Sequence, residues 1–176
     1  MRRLDAKGID CFLPDLAGCN ESLAPHGDQS IAHWRQAVAA AATHFRADRV
    51  LAIRSGAWLL PEGCAGWAYA PAKPAQVLRG MLRARTLAAR EGGRSESADA
   101  LLAEGRQQGL ELAGWSLGAV LVRELDEGAF ALPEGLIAIE QAEVGGKPLW
   151  LRAENDVDPA QADALAAIVA AGMADA

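Results

Sequence analysis

Val50-Leu51-Ala52-Ile53-Arg54-Ser55-Gly56-Ala57 is the stretch on which the fold turns. Four apolar residues run into a polar pair and then into small residues, the pattern of a buried strand that ends in a sharp turn opening a helix. Such a turn is where a nucleophile is presented, as G-x-S-x-G. It is so tight that the residues two before and two after its apex must be small. With Ser55 at the apex the flanks are Ile53 and Ala57, and Ile53 is large and β-branched. With Arg54 at the apex they are Ala52 and Gly56, both small. The steric rule therefore places the apex at Arg54, whose guanidinium cannot attack an acyl group, and leaves Ser55 as the second-choice nucleophile.

Upstream of this stretch, Gly8 to Leu13 reads as a strand that leaves into a loop marked by Pro14, Gly18 and Asn20. Ser30 then caps a helix to Phe45 whose apolar positions Ile31, Trp34, Val38, Ala41, Ala42 and Phe45 follow the 3.6-residue period. Strand, helix, strand implies a right-handed crossover and a parallel sheet. A domain that begins on a core strand with so few residues ahead of it suggests that front strands of a larger fold are missing.

Downstream, Gly66 to Ala70 reads as another strand closed by Pro71 and Pro74. A helix is expected from about Ala75 to Arg90, and a flexible break at Glu91 to Ser95. A second helix follows from Ser97 to Gln108, then a short strand over Gly109 to Trp115 and a helix that starts at Ser116. Residues 75–128 thus form a helical insert that either lies over the sheet as a lid or packs on one face. Leu136 to Glu140 and Pro148 to Arg152 read as the last two strands, a hairpin through Gly145-Gly146, and Pro159 opens a closing helix. The whole, residues 1–176, is one α/β domain: a mostly parallel sheet of about five to six strands with helices on both faces.

Composition narrows the function. The 176 residues carry 17 Lys plus Arg against 23 Asp plus Glu, and a net charge of -6 argues against a protein that binds nucleic-acid backbone through a basic face. No apolar run reaches the ~18 residues of a membrane span. Met1-Arg2-Arg3 is followed by the mixed Leu4-Asp5-Ala6-Lys7, which does not support a secretory signal. Cys11, Cys19 and Cys64 are odd in number and lack C-x-x-C spacing, which points to buried thiols and a cytoplasmic protein, not to a disulfide or zinc site. His33 and His44 lie about 16 Å apart along one helix at 1.5 Å per residue and cannot share a metal. No metal or cofactor is expected.

Several stretches together resemble a known family. Asp15-Leu16-Ala17-Gly18-Cys19-Asn20-Glu21-Ser22 resembles the D-x-x-G-x-G-x-S turn of α/β-hydrolases, with Asn20 in place of the second glycine, and the Arg54 turn sits one helix later, where the nucleophile elbow belongs. Ala52 to Ala57, Trp67 to Pro71, Leu78 to Arg85, Leu112 to Leu117 and Gly146 to Trp150 resemble, in order, the exosortase-A-system-associated hydrolases of type two. That resemblance implies an α/β-hydrolase-like fold shortened at its N-terminus, an arginine at the elbow, and a link to exopolysaccharide and protein-sorting gene clusters. The departures are as informative. Histidines occur only at 26, 33 and 44, and none follows the last strand, where this fold keeps its base.

The site residues divide accordingly. One arrangement is catalytic: Ser55 as nucleophile, His26 from the loop after the first strand as base, and Asp156 of Glu154-Asn155-Asp156-Val157-Asp158-Pro159 as acid. Equally, these acids favour the N-terminus of the closing helix, with Asp158 as its cap. The other arrangement binds an anion at Arg54, beside Gly56 and the following helix, or pairs Arg54 with Asp15. Three functional readings follow: a pseudoenzyme that binds a small acyl or anionic ligand, an esterase or thioesterase using Ser55, and an assembly protein that forms a homodimer through an exposed sheet edge.

Overall fold

A computed structural model describes residues 1–152 and 156–174. The expected helix and strand around the key stretch form as read. Helix α2 runs Ile31–Phe45 with Ser30 as its cap, the Ser30 hydroxyl accepting from the His33 amide. Arg46 in the left-handed region closes it, and β1 follows at Val50–Ile53. A preceding short helix, α1, spans Arg2–Asp5. Beyond β1 come β2 (Gly66–Tyr69), α3 (Pro74–Glu91), α4 (Ala98–Gln108), β3 (Leu110–Leu112), β4 (Trp115–Leu117), α5 (Ala119–Glu127), β5 (Leu136–Ile139), α6 (Gln141–Val144) and α7 (Pro159–Ala174).

The sheet is parallel but smaller than expected: three strands in the order β1-β2-β5, with β3 and β4 as a separate antiparallel pair. The register sets Leu51 beside Trp67 and Ile137, and Ile53 beside Tyr69 and Ile139. Side chains alternate across a strand, so this row forms one face. It packs Trp67, Tyr69 and Ile139 against Leu4, Val144, Ala166 and Val169 of α1, α6 and α7. The opposite face carries Ala52 and Ala68, and is covered by Ala57 and Leu60 of the turn after β1 together with Phe130 and Leu132. The small side chains on this face let the turn lie close against the strands. Gly66 is demanded by the approach of β1: a Cβ there would stand 2.0 Å from the Val50 carbonyl oxygen.

Two expected strands and one expected helix start are replaced. Gly8 to Leu13 does not pair with β1. Gly8 takes a φ of 76° and the Ile9 amide turns back to the Leu4 carbonyl, which spends the start of the segment on closing α1. Pro148 to Arg152 is no strand either, but a 3₁₀ turn at Leu149–Leu151. The expected hairpin with Leu136 to Glu140 fails because Glu140 and Glu143 form a reciprocal capping box that starts α6 immediately after β5. Finally, Ser116 starts no helix. Ala113 and Gly114, at φ 51° and 80°, make a tight turn that folds β4 back onto β3, and α5 begins at Ala119.

Elements α3, α4, β3, β4 and α5 bury Leu78, Leu82, Leu101, Leu112, Leu121 and Val122 against one another, and the same cluster takes in Ile31 and Trp58 from the rest of the chain. Glu124 of α5 reaches the start of α2, accepting from the Ile31 amide at 2.7 Å and the Ala32 amide at 3.3 Å. Two of the four amides that a helix start leaves unpaired are met in this way.

Candidate functional site

In a parallel sheet, ligands bind outside the carboxyl ends of the strands. Here those ends present Arg54 after β1, Tyr69 and Ala70 at β2, and Glu140 and Gln141 after β5. The chain turns at Arg54 with φ 55° and continues as a 3₁₀ turn, Arg54–Leu59. Ser55 has no positive φ. The left-handed position of the turn thus belongs to the residue that the small flanks Ala52 and Gly56 single out.

The Arg54 guanidinium is engaged from two sides. Nη1 donates to the Ala70 carbonyl at 2.9 Å, tying the ends of β1 and β2 together. The guanidinium carbon stands 4.2 Å from the centre of the Trp150 ring. Trp150 also meets Tyr69 edge-on, with centroids 5.7 Å apart. No carboxylate pairs with Arg54 among the described residues. Asp15 instead accepts from the Asn20 amide group at 2.8 Å, so the expected Arg54–Asp15 bridge does not form.

Behind Tyr69 lies a polar network. Its hydroxyl donates to Gln141 Oε1, and burial pushes the phenol up from its ordinary pKa, with Gln141 and Arg54 opposing. Gln141 Nε2 donates to Gly145 O at 2.8 Å and to Gln161 Oε1 at 3.1 Å. Gln161, only 4% exposed, donates in turn to Lys147 O and Asp158 Oδ2, each at 2.9 Å. Asp158 caps α7, accepting from the Gln161 amide at 3.1 Å and from Arg152 Nη2 at 2.8 Å. The amide and side chain of Gln161, and then Arg152, hold the Asp158 carboxyl below its usual range.

The three expected catalytic groups are not brought together. His26 Nδ1 is 2.8 Å from the Ser116 carbonyl and so donates to it, with the ring 4.9 Å from that of Trp115. Asp156 faces Arg152 at 3.4 Å, and Glu154 and Asn155 of the expected acid loop lie outside the described residues. Ser55, His26 and Asp156 make no hydrogen bond with one another among the described residues. The cysteine thiols are disulfide-free, and burial raises the pKa of Cys64, which opposes thiolate chemistry there.

The Asp15 to Ser22 loop turns through two left-handed residues, Gly18 and Asn20. Gly18 is at φ 75°, and a Cβ on it would stand 2.8 Å from His26 Cα. Asn20 adopts φ 49°, the left-handed region that glycine favours and asparagine tolerates. The residues that sequence reasoning missed are Trp150, Gln141 and Gln161. Gln161 had a signal, because it stands three residues after the Asp158 cap. Trp150 had none, since its place over Arg54 depends on a turn that was read as a strand.

The fold and these strand ends define an α/β protein with a three-stranded parallel sheet and an arginine at its crest. No protein-family model, curated protein or solved structure matches the chain.

Proposed function

We propose that this chain is a degenerate α/β-hydrolase-like protein that binds an anionic ligand at Arg54 and does not hydrolyse esters. The observation that carries the reading is the left-handed Arg54 at the turn after β1, φ 55°, with a half-buried guanidinium that has no carboxylate partner among the described residues. One N–H is spent on Ala70. The other donors suit a carboxylate or phosphate arriving beside the Trp150 ring, where a planar fork can bind two oxygens at once. The resemblance to exosortase-associated hydrolases fits the same reading, with an arginine in the nucleophile's place.

Titration with benzoate and with inorganic phosphate at constant ionic strength, followed by tryptophan emission, tests it. The expected result is a saturable change that is absent in Arg54→Gln and lost from the signal in Trp150→Phe. No saturable change up to about 10 mM, beyond the affinity of even a weak specific site, contradicts it. The esterase reading requires Ser55, His26 and Asp156 to act together, and the separate partners of His26 and Asp156 oppose it.

A further inference from the structure

Residues 9–13 run beside β1 without joining it. Between the two stretches lies a groove of about 590 Å³, walled on one side by Ile9, Cys11 and Phe12 and on the other by Val50, Leu51 and Ile53. It is continuous with an apolar hollow of about 380 Å³ between Leu13, Phe45 and the same strand. The β1 wall is extended strand, and both walls carry unspent backbone hydrogen-bonding groups. β1 pairs on one side only, with β2, and residues 10–14 make no backbone hydrogen bond among the described residues.

The side chains that rim the groove are apolar and open. Leu13 is 80% exposed and Ile53 51%, while Phe12 stacks on Phe45 with centroids 4.2 Å apart and so holds the outer wall against the end of α2. The charges at the rim, Asp10 and Asp48 against Arg46 and Arg49, cancel. An occupant that satisfies these walls is extended, uncharged and apolar.

From this geometry we infer that the groove is a receiving slot for one β-strand of a partner polypeptide, four to five residues long, which inserts between residues 9–13 and β1 and pairs with β1. At about 3.3 Å per residue, four residues match the length of β1. The expected homodimer through a sheet edge is the competing occupant. A second folded copy would bring its own next strand about 4.8 Å behind its edge, into the wall formed by residues 9–13. A single strand has no such encumbrance. Strand addition to an open edge is a general mode of peptide recognition, with affinity from main-chain bonds and selectivity from alternate side chains. The inference is independent of the anion reading at Arg54.

The test uses a fluorescein-labelled, capped peptide, Lys-Val-Thr-Val-Thr-Val-Lys, with binding followed by anisotropy. Saturable binding is expected, with amide-exchange protection gained at Leu51 and Ile53, the amides that alternate with the Val50 amide already bonded to Ala65. Weakening of at least tenfold is expected when the three valines are N-methylated, because that removes ladder donors, and in Ile53→Lys. Leu23→Asp, off the groove, should bind as the parent does. If Ile53→Lys fails to fold, Leu13→Asp takes its place, since Leu13 is largely exposed. No saturable binding below about 1 mM, equal binding by the N-methylated peptide, or a sedimenting dimer in which the Leu51 and Ile53 amides are already protected would each overturn the inference.

Discussion

Arg54 is the residue at which geometry and chemistry meet. A non-glycine side chain in the left-handed region costs about 1 kcal/mol, so the surroundings must offset that strain, and its bond to Ala70 and stacking under Trp150 do so. Stacking of a cation on an aromatic ring is worth about 0.5–1 kcal/mol at a partly exposed site, and a hydrogen bond from a charged group about 1.5–3 kcal/mol. Arg54→Ala keeps the strain and loses both contacts, so thermal or urea unfolding should show a loss of about 2 kcal/mol. Arg54→Gly also loses them but relieves the strain, and should be less damaging by about 1 kcal/mol.

Asp158 gives a pH dependence. Its folded pKa is depressed by Gln161 and Arg152, so its contribution is present above the unfolded carboxyl value of about 3.9 and is lost as pH falls through the lower folded value. Asp158→Asn should therefore be less stable than the parent at neutral pH, with the difference shrinking below about pH 4. Urea unfolding at a series of pH values measures this. A difference that stays constant down to acid pH would show that the charge plays no part.

Among the elements, α2 and β1 were the most legible, because each is specified locally. Ser30 supplies the cap and the apolar period supplies the buried stripe. The sequence could not show that Glu124, far along the chain, also binds the first amides of α2. Ser30→Ala and Glu124→Gln should each cost about 1 kcal/mol in urea unfolding. Their effects should be less than additive, since both act on the same helix start. The misread elements share a cause: short apolar runs do not distinguish a strand from a turn. Leu149-Trp150-Leu151 has strand composition, yet α6, started by its capping box, redirects the chain before a hairpin can form. The Ala113-Gly114 turn carried a glycine signal, but the three-residue strands it joins are too short for periodicity to register. Gly66 was read only as part of a strand. Its Cβ conflict with Val50 O at 2.0 Å predicts that Gly66→Ala destabilises by more than about 3 kcal/mol, as a strained backbone combined with overpacking does.

For the molecule as a whole, the α/β class and a parallel sheet were expected and are found, but the crossover that argued for them began at Gly8 to Leu13, which joins no strand, and the sheet's width was not legible. Gly8 to Leu13 has the composition of a strand and lies beside β1, but Ile9 is bound back to α1, leaving a groove where pairing was expected. Sequence patterning reports which residues favour a sheet. It does not report whether a neighbour stands at bonding distance. The same limit applies to the site: the small flanks around Arg54 were readable, whereas the engagement of His26 with Ser116 and of Asp156 with Arg152 is long-range or set by a turn and left no trace in the pattern.

On the proposed function, the turn after β1 is built for Arg54 and carries no nucleophile. Hydrolysis of p-nitrophenyl butyrate by the parent chain and by Ser55→Ala tests it most directly. No turnover that depends on Ser55 is expected. Turnover at or above about 1 s⁻¹, within the ordinary enzyme range, that disappears in Ser55→Ala while the variant remains folded would contradict it.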